Sequence, residues 1–360
     1  MVAINTQRLI KSFIDMVSVS SESGNESAFA GYMLELGKKL GLQGRKDKYG
    51  NVYLFFKGNS DSIMFNTHMD TVSPGKNVKP KISGKYITSD GQTVLGADSK
   101  AGIAAMFEAI SLLKENNINH KSLLITLTCN EESGIPTADK ILSDVKLCVV
   151  PDRGTPVGEI ITEAPYAQVF EVTIKGKTAY APTNHKDGKN AILAAINILN
   201  ELSWGDIDSK TTTNVGIING GTMTSMVPDK CIFKGSCYSF NKLSFDKFLQ
   251  NLFKTVIKID TKFGTKSTVT MLEYFGGYKI DKKDPLVKLV DRSMRKSKIT
   301  PVYKIYKAVT NANLLNQAGI KSVLISTGVE NQHTVNEKIK IGELEKITSI
   351  LLNVLIDNVS

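Results

Sequence analysis

Residues 62–72 read SIMFNTHMDTV. Ile63, Met64 and Phe65 are apolar in succession, without alternation. A run this short with no polar face suits a strand buried on both sides of a sheet. It ends on His68-x-Asp70, so polar, chemistry-bearing side chains follow directly on the strand. Upstream, NVYLFFK (51–57) reads as another strand. Downstream, residues 101–115 repeat apolar positions at Ile103, Met106, Phe107, Ile110 and Leu113, a helical period. A strand over 122–129 stops just before Glu131-Glu132, and a strand over 146–150 stops before Asp152. Helices are predicted over 5–17 and 284–297, a strand over KSVLIST (321–327), a polar loop carrying His333, and a closing helix from Glu343. Short apolar strands alternating with helices argue for an α/β fold with a mixed, mostly parallel sheet.

Between about 166 and 274 the pattern changes. AQVFEVTIKG (167–176) alternates as a strand, NAILAAINILNEL (190–202) is helical, and NVGIING (214–220) and DKCIFKGSCYSF (229–240) are strands. A long helix over 243–264 and a strand over 267–275 complete the order β-α-β-β-α-β. That is the split βαβ, ferredoxin-like arrangement. The predicted organisation is therefore a domain made of 1–165 plus 275–360, interrupted by an inserted domain over 166–274. With 360 residues, two domains are also the natural expectation from length.

Composition narrows the function. The chain carries 41% apolar and 22% charged residues and a net charge of +10. The basic residues are scattered lysines; the arginines are Arg8, Arg45, Arg153, Arg292 and Arg295. Base readout leans on arginine and on clustered basic patches, so nucleic acid is not the expected partner. Cys129, Cys148, Cys231 and Cys237 show no Cys-x-x-Cys spacing, and two lie in apolar runs. Buried free thiols in a reducing, cytoplasmic setting are expected. The amphipathic N-terminus has no signal-peptide pattern, and no run reaches membrane-spanning length.

The candidate chemistry sits at strand ends, where an open α/β sheet forms its crevice. His68 and Asp70 follow one strand, Glu131 and Glu132 another, Asp152 a third, and His333 the strand over 321–327. Asp98 lies in GADSKAG, just ahead of a helix. Each has an ordinary explanation alone: a solvated histidine, a helix cap, a surface acidic pair, a turn residue. Together they collect imidazoles and carboxylates, the donors that zinc and similar ions favour, and two of the chain's four histidines are among them. Two such ions about 3.5–4 Å apart are a known hydrolytic device.

THMDTV, GADSKAG, TCNEESG, VVPD and QHTVNEKI, in this order and spacing, resemble the zinc metallopeptidase family that includes peptidase T, carboxypeptidase G and the aminoacylases. The resemblance runs over nearly the whole chain and is nearest to peptidase T-like proteins. It implies two divalent ions, zinc or else cobalt or manganese. One would be held by His68, Asp152 and a bridging Asp98, the other by Asp98, Glu132 and His333. It implies Glu131 as general base, Asp70 as the partner of the His68 ring, and a cis peptide at Asp98–Ser99. It also implies a small peptide or amide substrate, and a homodimer formed through the inserted domain as lid and dimerisation unit.

The substrate-facing positions depart from that pattern. Tyr180 stands where the family has a histidine, in TAYAPTNHKDG, and His185 follows in the same stretch. Ser225 replaces an asparagine in GGTMTSM, and Tyr238 replaces an arginine in SCYS. Ala308, Thr310 and Asn311 occupy a stretch that is glycine-rich and acidic elsewhere in the family. Tyrosine donates a hydrogen bond but cannot clamp a carboxylate bidentately. The expectation is retained metal chemistry on a non-standard substrate, with Tyr180, Ser225, Tyr238 and Asn311 as substrate-binding residues and the two phenols acting as a pair. The alternatives are a specialised amidohydrolase or deacylase of a pathway intermediate, and a catalytically silent metal-binding homologue, against which the intact Glu131 weighs.

Overall fold

A computed structural model describes residues 2–134, 137–141 and 143–357. It divides into two compact units. The first comprises the chain up to Glu163, Lys279–Tyr306 and Thr310 onward; the second comprises Ala164–Tyr278 with Lys307–Val309.

In the first unit, four strands form a parallel centre in the order Lys121–Thr128, Ser60–His68, Leu147–Arg153 and Lys321–Ser326. Antiparallel strands flank it: Val52–Phe56 with Gln43–Lys46 on one side, Glu159–Ala164 on the other. The sheet is thus mixed and mostly parallel at its core. Ile63, Met64 and Phe65 have no exposed surface, as expected of a strand covered on both faces. The helix Ala97–Glu115 is buried along almost its whole length and packs against Thr6–Ser18, Ile341–Ile356 and the sheet.

Gly102 allows that helix to come close. A Cβ there would lie 2.5 Å from the Pro151 carbonyl oxygen, a backbone atom that cannot swing aside. Gly102→Ala is expected to lower stability by about 1–3 kcal/mol, the usual cost of overpacking. The check is the midpoint of thermal unfolding; an unchanged midpoint would show that the helix can shift freely.

The sequence reading misplaces some boundaries and omits elements. The strand over 146–150 continues through Asp152 to Arg153, so Asp152 is itself a strand residue. The helix over 101–115 begins at Ala97, with non-helical backbone at Asp98 and Ser99. The helix Ser27–Lys39, whose apolar face mixes Phe29 and Met33 with Ala30 and Gly37, is absent from that reading. So is a small antiparallel sheet in the order Val329–Glu330, Lys338–Lys340, Tyr86–Thr88, Lys81–Ser83. Its strands have two or three residues each, too few for a period to show.

The second unit has a five-stranded antiparallel sheet in the order Gly205–Asp208, Thr211–Gly220, Lys230–Ser239, Tyr166–Lys175, Lys266–Phe275. The helices Ala191–Glu201 and Lys242–Phe263 cover one face around Phe170, Phe233, Phe245 and Phe248. The last four strands have the ferredoxin-like order that β-α-β-β-α-β predicts. The short first strand is an addition. It pairs Thr211–Thr213 only, leaving the rest of that edge open, with Ile217 and Ile218 about half exposed.

Candidate metal centre

Strand register brings the site together. Phe65 pairs with Val149 in parallel, so three residues on His68 is level with Asp152. On the other side His68 pairs with Thr128, placing Glu131 and Glu132 in the turn just beyond. Asp98 enters from the kinked start of the helix Ala97–Glu115, and its peptide bond to Ser99 is cis, as the resemblance implies. His333 enters from the loop between Val329–Glu330 and Lys338–Lys340, with a positive φ of 63°.

The donor atoms form two groups of three that share Asp98: His68, Asp98 and Asp152, and Asp98, Glu132 and His333. Within each, all donor atoms lie within 4.8 Å of one another. His68 Nε2 is 3.2 Å from Asp152 Oδ1 and 3.5 Å from Asp98 Oδ1. His333 Nε2 is 2.9 Å from Glu132 Oε1 and 3.1 Å from Asp98 Oδ2. Ligands at zinc-type bond lengths of about 2.0–2.2 Å sit about 3.3–3.6 Å apart in a tetrahedron, so these separations need little adjustment. A third overlapping group, His68, Glu131 and Glu132, puts the Glu131 carboxylate beside the same space.

The charges also suit cations. Asp98, Glu131, Glu132 and Asp152 converge, and no Lys or Arg bonds any of them among the described residues. Burial raises the pKa of Glu131 well above the carboxylate range, and the neighbouring carboxylates Asp152, Glu132 and Asp98 add to that against His68. Burial raises Glu132 too. Asp98 is also buried, but His333 and His68 hold it down at about 2. Hydrogen bonds to Asp98 and Glu132 push His333 up to about 10. For His68 burial opposes the imidazolium, yet Asp152, Asp70 and Asp98 outweigh it and hold the pKa well above the ordinary value. A divalent ion would therefore displace protons from both rings, so its affinity falls as pH falls.

The supporting contacts are specific. His68 Nδ1 is 2.9 Å from the Asp70 carbonyl oxygen, which can only accept, so Nδ1 carries the proton and Nε2 faces the cluster. The Asp70 carboxylate is farther from the ring, at 3.4 Å. It accepts the backbone N–H groups of Glu131 (3.1 Å) and Glu132 (3.0 Å) and the Ser23 hydroxyl (2.6 Å). Asp70 thus fixes the acidic turn as well as the imidazole. Glu26, which accepts the Asn130 N–H at 3.0 Å, and Glu337, which accepts those of Gly96 and Asp98, are further supports that the sequence reading missed. Burial lifts Glu337 to about 7. Glu337 lies inside the stretch QHTVNEKI, four residues after His333, but nothing in the sequence marks it as a support.

The expected substrate residues fall in different places. Tyr180 is half exposed, and its segment is bonded to that of Ser225 through the Ala181 N–H and the Ser225 carbonyl at 2.8 Å. His185 lines a groove with Asn190, Gly221, Thr222 and Met226 in this region. Tyr238 lies eight residues along the strand from Lys230, roughly 26 Å at the usual rise, and pairs with Thr212 and Ala167. The two phenols therefore lie apart within one chain. Asn311 is fully buried; its Nδ2 donates to Thr128 Oγ1 at 2.8 Å. That bond braces a strand end beside the metal centre.

The fold and this donor set define a class, and comparison with known proteins agrees. Residues 64–357 match the model of peptidase family M20/M25/M40. The solved tripeptidase of Staphylococcus aureus is 32% identical, with a TM-score of 0.90 and 98% of each chain covered. The aminopeptidase PepT of Bacillus cereus is 32% identical with a TM-score of 0.87, again over 98% of each chain. Peptidase T of Halothermothrix orenii is 27% identical over 97% of this chain and 98% of its own. The chain belongs to peptidase family M20/M25/M40. Within it, this is a peptidase T-like hydrolase.

Proposed function

We propose that the chain hydrolyses amide bonds of small peptides or peptide-like amides with two divalent ions, zinc or else cobalt or manganese, held by His68, Asp98 and Asp152 and by Asp98, Glu132 and His333. The observation that supports this most is the pair of donor triads sharing one carboxylate. Such ions, when bound, acidify water and polarise a carbonyl. Glu131 takes the proton of the attacking water and returns it to the leaving nitrogen as the C–N bond breaks. Asp70 holds Glu131, Glu132 and His68 in place.

Tyr238 in place of an arginine favours an amide whose far end is not a free carboxylate, which suits a specialised amidohydrolase as much as a tripeptidase. The half-open edge of the inserted sheet, with Ile217 and Ile218 exposed, supports a homodimer through that unit. The test is metal content together with amine release from di- and tripeptides, C-terminally amidated peptides and N-acyl amino acids. Two ions per chain and faster cleavage of the amidated peptides support the reading. Absence of bound metal sinks it, and a preference for free carboxylates refutes the substrate assignment.

A further inference from the structure

The two triads are not equally supported. His68 and Asp152 belong to neighbouring parallel strands, Ser60–His68 and Leu147–Arg153, and the sheet ladder fixes their spacing. All three members of the other triad lie off the sheet. Asp98 is in a helix-start kink, Glu132 is in a turn, and His333 is in the hairpin loop 331–337.

We propose that Glu337 is a positioning residue for the ion held by Asp98, Glu132 and His333, tying the loop of one ligand to the loop of another. This rests on the dinuclear reading above. Glu337 closes the loop that carries His333 and is 2% exposed. Its Oε2 accepts the Gly96 N–H at 2.7 Å, and its Oε1 accepts the Asp98 N–H at 2.9 Å. Gly96 has a φ of +74°, the left-handed conformation at the helix N-cap from which the chain turns into Asp98. One carboxylate thus fixes the backbone of the bridging aspartate from the histidine's own loop. Apart from the contacts of the His333 ring with Asp98 and Glu132, other bonds of that loop among the described residues are internal, such as Thr334 Oγ1 to the Asn331 carbonyl, or long, such as Ser89 Oγ to the Val335 carbonyl at 3.4 Å. A carboxylate can accept from two N–H groups at once, whereas in glutamine the NH2 would face one of them donor to donor.

Metal-free wild type, Glu337→Gln and Glu337→Ala are titrated with Zn2+ by calorimetry, with the thermal midpoint of each metal-free protein measured alongside. Wild type takes up two equivalents. In Glu337→Gln both equivalents weaken, because Asp98 belongs to both triads, but unequally: the one that also depends on the His333 loop loses about 10–100-fold, the usual effect of a support behind a ligand, and the one that keeps His68 and Asp152 on the sheet loses less. Glu337→Ala loses at least as much. Unchanged binding of both equivalents in Glu337→Gln overturns the proposal. So does equal weakening of both, whether or not the midpoint falls, because that is a general structural loss. Fewer than two equivalents in wild type overturns the dinuclear reading itself, and is seen before any variant is compared.

Discussion

Glu131→Ala is expected to cut amide hydrolysis by about 10²–10⁴-fold, the contribution typical of a positioned general base, while both ions stay bound. Glu131 stands outside the two triads that share Asp98, yet its carboxylate groups with His68 and Glu132 at the same space. Its backbone N–H is held by Asp70 at 3.1 Å, so the side chain is aimed by a support that the substitution leaves intact. Burial first, and then the neighbouring carboxylates, make this group more basic than an ordinary glutamate, as proton abstraction near neutrality requires. The effect on the metal-free fold has the opposite sign. The native pKa is raised above the ordinary 4.5, so between the two values the folded chain holds more protons than the unfolded one. Stability therefore falls as pH rises through that window, and Glu131→Ala removes the penalty. Amine release, metal content and the metal-free thermal midpoint at two pH values check the three statements. Retained turnover would remove Glu131 from the chemistry, and parallel loss of metal would make it a ligand.

The central sheet was legible because its strands are buried on both faces. Ile63-Met64-Phe65 has no polar alternation to confuse with a surface strand, and the run before Glu131 interleaves only Thr126 and Thr128, which are as buried as the apolar residues between them. The ligands were legible because a parallel sheet puts its chemistry at strand ends, and those ends can be found from where apolar runs stop. The supports were not. Glu337 and Glu26 act through backbone N–H groups far away in sequence, and a carboxylate that accepts from an amide looks, in sequence, like any surface glutamate. Asn311 drew notice because its stretch departs from the family pattern, and its bond to Thr128, a partner 183 residues away in sequence, was equally invisible there. The four-stranded sheet that presents the His333 loop escaped because strands of two or three residues carry no period. The separation of Tyr180 from Tyr238 depends on strand register in the inserted unit, which motif spacing does not reveal.

The largest effect on metal binding is expected at Asp98, the residue common to both triads among the described residues. Its Oδ1 faces His68 Nε2 and its Oδ2 faces His333 Nε2, so one side chain serves two sites with different oxygens. Asp98→Ala removes a ligand from each, and the loss per ion should exceed the roughly 10–100-fold that follows from disturbing a mere support. The metal-free fold should suffer little, because the change also removes one of four converging carboxylates and leaves His68 beside Asp152 and His333 beside Glu132. The contrast is measurable as a thermal shift. An ion at 100 times its Kd stabilises the wild type by about 2.7 kcal/mol, or several degrees for a unit of this size. In Asp98→Ala the shift on adding zinc should all but vanish from a nearly unchanged starting midpoint, and hydrolysis should vanish with it. His333→Ala, which touches one triad only, should keep part of the shift. A full shift in Asp98→Ala would show that the two triads bind independently of the carboxylate they share.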